Sequence, residues 1–163
     1  MNHTSDIAVR IVDFPETLVA LLTHRGDPAG IGHSIARFIA WRKATGLSPL
    51  ASSRTFGIAL SKPKAAPDDT FCFGIAGSVL SPVPEDTPFG IVNGCIPAGR
   101  CAVLRHHGHH DTLSGAAQFL LCDWLPTSGE QHGDFPLFFQ YLSIGQGVDE
   151  LAWQTEVYLP LKA

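Results

Sequence analysis

Residues Phe14 to Ala40 read FPETLVALLTHRGDPAGIGHSIARFIA, and residues Ile96 to Cys122 read IPAGRCAVLRHHGHHDTLSGAAQFLLC. Laid over each other at an offset of 82 residues, the two stretches share Pro15/Pro97, Ala20/Ala102, Leu22/Leu104, His24/His106 and Gly26/Gly108. Identity alone is thin, but the hydrophobic pattern repeats with it. Ile31, Ile35, Phe38 and Ile39 fall at i, i+4, i+7 and i+8, as do Leu113, Ala117, Leu120 and Leu121. That spacing predicts one buried helix face in each stretch. Each helix follows a short apolar run, Leu18 to Leu22 or Cys101 to Leu104, which suits a strand feeding a glycine-containing loop.

Working outward, further runs rich in β-branched and aromatic residues predict strands over Ala8 to Asp13, Thr55 to Leu60 and Thr70 to Val79. The second stretch has counterparts at Gly90 to Cys95, Leu137 to Ser143 and Gln154 to Leu161. Each half then reads strand, strand, helix, strand, strand. Ser61 to Asp69 and Ser81 to Pro88 are rich in proline and polar residues and read as loops, the second being the joint. The expectation is one α+β domain over 1–163, with halves at about 7–80 and 89–162. Two amphipathic helices can each cover part of the strands and leave a central seam, a favoured place for a ligand.

Composition bounds what such a domain does. The chain of 163 residues is 45% hydrophobic and 16% charged, which suits a packed core rather than disorder. Its 11 Lys and Arg are scattered and the net charge is -4, so the basic stripe that a phosphate backbone needs is missing and direct nucleic-acid binding is disfavoured. No apolar run approaches the ~18 residues that span a bilayer, and Met1 to Arg10 lacks a signal-peptide core. No membrane association and a cytoplasmic location are expected. Cys72, Cys95, Cys101 and Cys122 lie on apolar stretches without a C-x-x-C pair and read as small buried hydrophobes.

Most catalytic chemistry finds no support in the residues. His106, His107, His109 and His110 form a dense cluster with Arg105, with Asp111 and His132 as further candidate metal ligands. A tetrahedral site needs four ligands, however, and the cluster reads as a histidine-rich loop. Gly30-Ile31-Gly32 lacks the third glycine and the acidic residue of a dinucleotide loop. No Gly-x-Ser-x-Gly elbow accompanies Cys101 or any serine. No catalytic residue, metal or cofactor is assigned, and a binding protein is favoured over an enzyme.

The ordering of segments and their local wording resemble the GyrI-like domain, the effector-binding domain attached to several multidrug-responsive transcription regulators. The resemblance covers about Ala8 to Lys162 and rests on VRIVDFPETLVALLTHRGD, a helix ending near TGL, GCIPAGRCAVLRHHG, the helix leading to Leu125 and Pro126, FPLFFQYL and WQTEVYLPLK. It implies two βαββ-type modules in pseudo-two-fold tandem. An antiparallel sheet, two main helices and a central groove lined by aromatic residues belong to that picture. With no helix-turn-helix segment before Ala8 or after Lys162, a stand-alone protein is implied.

By the same resemblance the ligand is a hydrophobic, aromatic and in many members cationic organic molecule. Phe139, Tyr141 and Tyr158 would stack on it, Trp153 would wall the groove, and Glu156 would supply charge. This chain departs from the family where FPLFFQYL places Phe139 at a position usually held by Glu, which shifts the expectation toward an apolar groove with Glu156 as its polar anchor. The alternatives are a hydrolase of reactive cyclopropane-bearing molecules, with Glu156 positioning water, and a module binding a protein partner, such as a gyrase inhibitor.

Overall fold

Strand β1 (Val9–Phe14) is sequence-adjacent to strand β2 (Thr17–Arg25) yet does not pair with it. It runs antiparallel to β6 (Gly99–His107), with Val9 opposite Leu104 and Phe14 opposite Gly99. Strand β5 (Ile91–Ile96) does the reciprocal thing and lies beside β2, with Ile91 opposite Leu22 and Ile96 opposite Thr17. The computed structural model describes residues 9–26, 28–49, 52–60, 72–85, 88–108, 113–142 and 154–162. Its two compact units follow this exchange: Glu16–Ile96 forms one, and Met1–Pro15 with Pro97–Ala163 forms the other. The sequence halves and the units therefore differ by one strand each.

In the Glu16–Ile96 unit, β3 (Thr55–Ile58), β4 (Cys72–Ser78), β2 and β5 make an antiparallel sheet in that order. Leu22 stands opposite both Ile75 and Ile91, so the three side chains share one face. Helix α1 (Ile31–Thr45) packs there through Phe38 and Trp41, joined by Ala20 and Val83. Gly46, in the left-handed region at φ 65°, ends the helix by donating its N–H to the Arg42 carbonyl. Val83 is pinned by Asn93, whose side chain accepts from the Val83 N–H and donates to its carbonyl, both at 2.8 Å.

The buried stripe of α1 is Ser34, Phe38, Trp41 and Arg42; Ile35 and Ile39 are 38% and 37% exposed. The expected face is thus rotated. Two large aromatics three residues apart bury more apolar area than two isoleucines, so they decide which side turns inward.

The other unit repeats the plan. Its sheet order is β1, β6, β8 (Gln154–Pro160) and β7 (Phe138–Tyr141), all antiparallel. β5, β6 and β8 begin 82 residues after β1, β2 and β4, and α2 (Leu113–Gln118) begins 82 after α1. Gly26 and Gly108 take φ of 105° and 113° after β2 and β6, which explains their identity in the repeat: side chains rarely adopt that backbone. Every strand expected from sequence is present, and the fold is α+β with two antiparallel modules, each carrying its main helix.

The second helix differs from the first. After α2 it widens into a π-helical stretch, Phe119–Trp124, before α3 (Leu125–Ser128). Pro126 has no N–H to give the carbonyl four residues back, and the Leu125 N–H reaches back five residues to the Leu120 carbonyl.

Of the cysteines only Cys101 is buried; Cys72 is half-buried, Cys95 and Cys122 are exposed, and all four are free thiols. The expectation of four buried residues is corrected: Cys95 on β5 and Cys122 on the second helix are exposed, and Cys72 is half-buried. The predicted loop Ser61 to Asp69 lies outside the described residues. No described helix is long and apolar enough to cross a membrane.

Candidate functional site

On β8 the side chains of Gln154, Glu156, Tyr158 and Pro160 share one face, because alternate residues of a strand point the same way. Register extends that face. Arg105 stands opposite Glu156 on one side and Gln140 on the other; Val103 and Phe138 flank Tyr158 likewise. Beyond β6, Arg10 stands opposite Val103, Val12 opposite Cys101 and Phe14 opposite Gly99. One sheet face of a single unit thus collects Arg10, Arg105, Glu156, Tyr158, Phe14 and Phe138.

The polar end is a hydrogen-bonded network around Glu156. Tyr158 donates its hydroxyl to Glu156 Oε1 at 2.8 Å. Arg105 Nη2 donates to Oε2 at 2.8 Å and Arg10 Nη2 donates to the same oxygen at 3.3 Å. Arg105 also donates from Nη1 to Gln154 Oε1 at 2.9 Å. Burial pushes the Glu156 carboxyl toward protonation. The hydrogen bonds from Arg105 and Tyr158 and the charges of both arginines outweigh it, so the acid titrates below its ordinary value. Burial, then the Glu156 carboxylate, pushes Tyr158 well above the usual phenol range. The network therefore holds a carboxylate, a neutral phenol and two guanidinium ions.

The apolar end is an aromatic cluster. Tyr158 and Phe138 stack with centroids 4.9 Å apart and planes within 7°. Phe14 meets both edge-on, at 5.1 Å from Phe138 and 5.2 Å from Tyr158. Phe135 approaches Phe138 at 6.0 Å. Next to Phe135 and Phe138 lies a recess of about 250 Å³, bordered also by Cys101, Asp134 and Pro160. Burial pushes the Cys101 thiol up to about 11, which keeps it protonated and unreactive at neutral pH.

Of the residues expected at the site, Glu156 and Tyr158 are brought together. Phe139 stands opposite Val157 and Tyr141 opposite Thr155, which puts both on the other face of β7 and β8. There they stack on each other at 6.4 Å. Phe138, one residue earlier, is the ring that meets Tyr158. Trp153 lies outside the described residues, as do His109, His110 and Asp111. His106 is on the Thr155 face, and His132 Nε2 is 3.1 Å from the Phe135 carbonyl. Among the described residues no group of three His, Cys, Asp or Glu converges as a metal would require.

Sequence reading missed Arg10, Arg105, Phe14 and Phe138. Arg105 carried a signal, since it continues an otherwise apolar strand where the repeat has Thr23. Arg10 carried none, being 146 residues from its partner. The repeat also shows that the network exists once. The positions 82 residues before Glu156 and Tyr158 are Gly74 and Ala76, and the space beside Gly74 is filled by Leu21 and Ile58, 3.0 and 3.3 Å from where a Cβ would stand.

A twofold α+β repeat carries an ionised acid and stacked aromatics on one sheet face. Residues 7–162 match the profile of the GyrI-like small molecule binding domain, and the chain belongs to that family. It is 44% identical over 160 residues to the probable transcriptional regulator YgiV of Escherichia coli strain K12, covering 98% of each chain. Among solved structures, the EcmrR C-terminal domain is similar in fold, with a TM-score of 0.79 at 19% identity and 96% and 98% coverage of this chain and that one. SAV2435 bound to tetraphenylphosphonium is another, with a TM-score of 0.58 at 11% identity and 96% and 94% coverage.

Proposed function

We propose that this chain captures a planar, largely apolar organic molecule on the sheet face that carries Glu156 and Tyr158, and that it holds the ligand without transforming it. The observation that carries this reading is the state of Glu156. Oε1 accepts from Tyr158 and Oε2 from two arginines, so the carboxylate is a fixed charge braced against an aromatic wall. A general base or acid works best with a pKa near the operating pH, and this one is displaced the other way. That disfavours the hydrolase alternative and leaves recognition.

The family supports a small molecule as the partner, and the 44%-identical relative is described as a probable transcriptional regulator. We place ligand capture by this chain in the same kind of control, with the signal passed through a protein partner, since a net charge of -4 and scattered basic residues suit a phosphate backbone poorly.

A thermal-shift screen against planar aromatic compounds of each charge tests the reading. A ligand at 100 times its Kd raises stability by about 2.7 kcal/mol, enough to move Tm by several degrees. The expected result is a hit that disappears in Tyr158→Ala. A screen in which no compound stabilises the protein would overturn the proposal.

A further inference from the structure

We infer that the ligand of this site is an organic anion, an aromatic carboxylate or sulfonate whose acid group bridges Arg10 and Arg105. The inference rests on the small-molecule reading above and concerns the charge that such a molecule carries.

The argument is one of charge and unused donors. Arg10 and Arg105 converge on a single oxygen, Glu156 Oε2, so two cations share one anion and the cluster is left with one positive charge in excess. The carboxylate is 12% exposed at its side chain, while Arg10 and Arg105 are 56% and 44% exposed. What the site turns outward is therefore guanidinium. Each guanidinium has five N–H donors. Among the described residues Arg10 uses one, on Glu156, and Arg105 uses two, on Glu156 and Gln154.

Among the described residues nothing else on this face at that end supplies negative charge. Gln140 and Gln154 flank Glu156 on this face as neutral amides, and His107 stands opposite Gln154. Of the carboxylates at the other end, Glu130 is held by both Arg100 nitrogens and Asp134 borders the recess beyond Phe138. A second acid group placed on Arg10 and Arg105 would balance the charge and take up forked donors whose geometry matches a planar acid. A cation would meet two arginines first and find the Glu156 oxygens already engaged. The planar body of the anion would lie along half-buried Val12 on the same face, over the rim of the Tyr158 cluster.

The test uses fluorescence titration of the full chain with a matched pair: anilinonaphthalene sulfonate and its uncharged parent, phenylnaphthylamine, with tetraphenylphosphonium as the cation. The sulfonate is expected to bind at least about tenfold more tightly than the parent, the ratio a charge-assisted hydrogen bond provides. Added salt should weaken the sulfonate alone. Arg105→Ala and, on the exposed edge strand, Arg10→Ala should each abolish the preference, Arg10→Lys should keep most of it, and Glu156→Gln should strengthen sulfonate binding. Equal affinity for sulfonate and parent, or tighter binding of tetraphenylphosphonium with the arginine variants unchanged, would overturn the anion assignment while leaving small-molecule binding intact. Failure of all three probes would remove both.

Discussion

Phe138 and Tyr158 face each other across neighbouring strands with their ring planes within 7° and their centroids 4.9 Å apart, and Phe14 closes the pair edge-on. Three strands are tied together by three rings at the point where the polar network begins.

Removing the middle ring should therefore cost more than removing a contact. Phe138→Ala is expected to lower stability by about 3–5 kcal/mol, as for other buried Phe truncations. Tyr158→Phe keeps the stack and deletes only the hydroxyl that donates to Glu156, a hydrogen bond to a charged acceptor worth about 1.5 kcal/mol or more. Urea denaturation of both variants checks the order; a Tyr158→Phe loss as large as that of Phe138→Ala would mean that the hydroxyl rather than the stack holds the strands.

The Glu156 network makes stability depend on acid in a definite direction. Its carboxyl titrates in the folded chain below the ordinary 4.5, because Arg105, Tyr158 and Arg10 together outweigh burial. The stabilisation is present in full above that ordinary value and is lost as pH falls through the depressed folded-state value. The Tm advantage of the native chain over Glu156→Gln should be constant from neutral pH down to about pH 5 and shrink below it. An advantage that persists undiminished to the acid limit would contradict the ionic account.

The other unit holds a buried cation of its own. Arg42 Nη1 donates to Thr55 Oγ1 at 2.8 Å and Nη2 donates to Ser48 Oγ at 3.3 Å, with the guanidinium 5.3 Å from the Phe38 ring centre. Burial pulls its pKa down to about 10, still high enough to stay charged at neutral pH. Gly77 backs it: a Cβ there would stand 2.5 Å from Ser48 Oγ and 2.7 Å from Arg42 Nη2. Gly77→Ala is expected to destabilise by about 1–3 kcal/mol through overpacking, against near neutrality at Gly32, where a Cβ meets nothing. Thermal melts of the two variants decide it.

The rotated face of α1 gives the simplest measurement. Ile39→Gln, on the flank, should change stability by no more than about 0.5–1 kcal/mol, whereas Phe38→Ala should cost about 3–5 kcal/mol. Similar losses at both positions would put Ile39 on the buried face beside Phe38, as the i, i+4, i+7, i+8 spacing predicts.

Much of the fold was legible because its punctuation is local. Glycine at 26 and 108, the proline-rich joint before Phe89 and the 82-residue repeat placed the strands and both helix starts. Which side of an element faces inward was less legible. In α1 the isoleucines kept the better period but Phe38 and Trp41 had the greater area. In β7, Phe138 and Phe139 are adjacent and both buried, so alternation offers no parity, and the offset from β3 is 83 rather than 82. Glu156 and Tyr158 were readable as a same-face pair two residues apart. Arg10 was not, because only tertiary pairing through β6 brings it to Glu156.

The trade of first strands has a genetic reading. Cutting the chain in the joint at 81–88 would send β1 away with the sheet of β2 and β4, and β5 away with the sheet of β6 and β8, each strand parted from its only neighbour. Neither fragment could complete its own ladder, and each would present a bare sheet edge. The two fragments should therefore be insoluble when made singly and recover when made together. A repeat wired this way cannot shed one copy, and its Glu156 network draws on both halves: Arg10 comes from the first and Arg105, Glu156 and Tyr158 from the second.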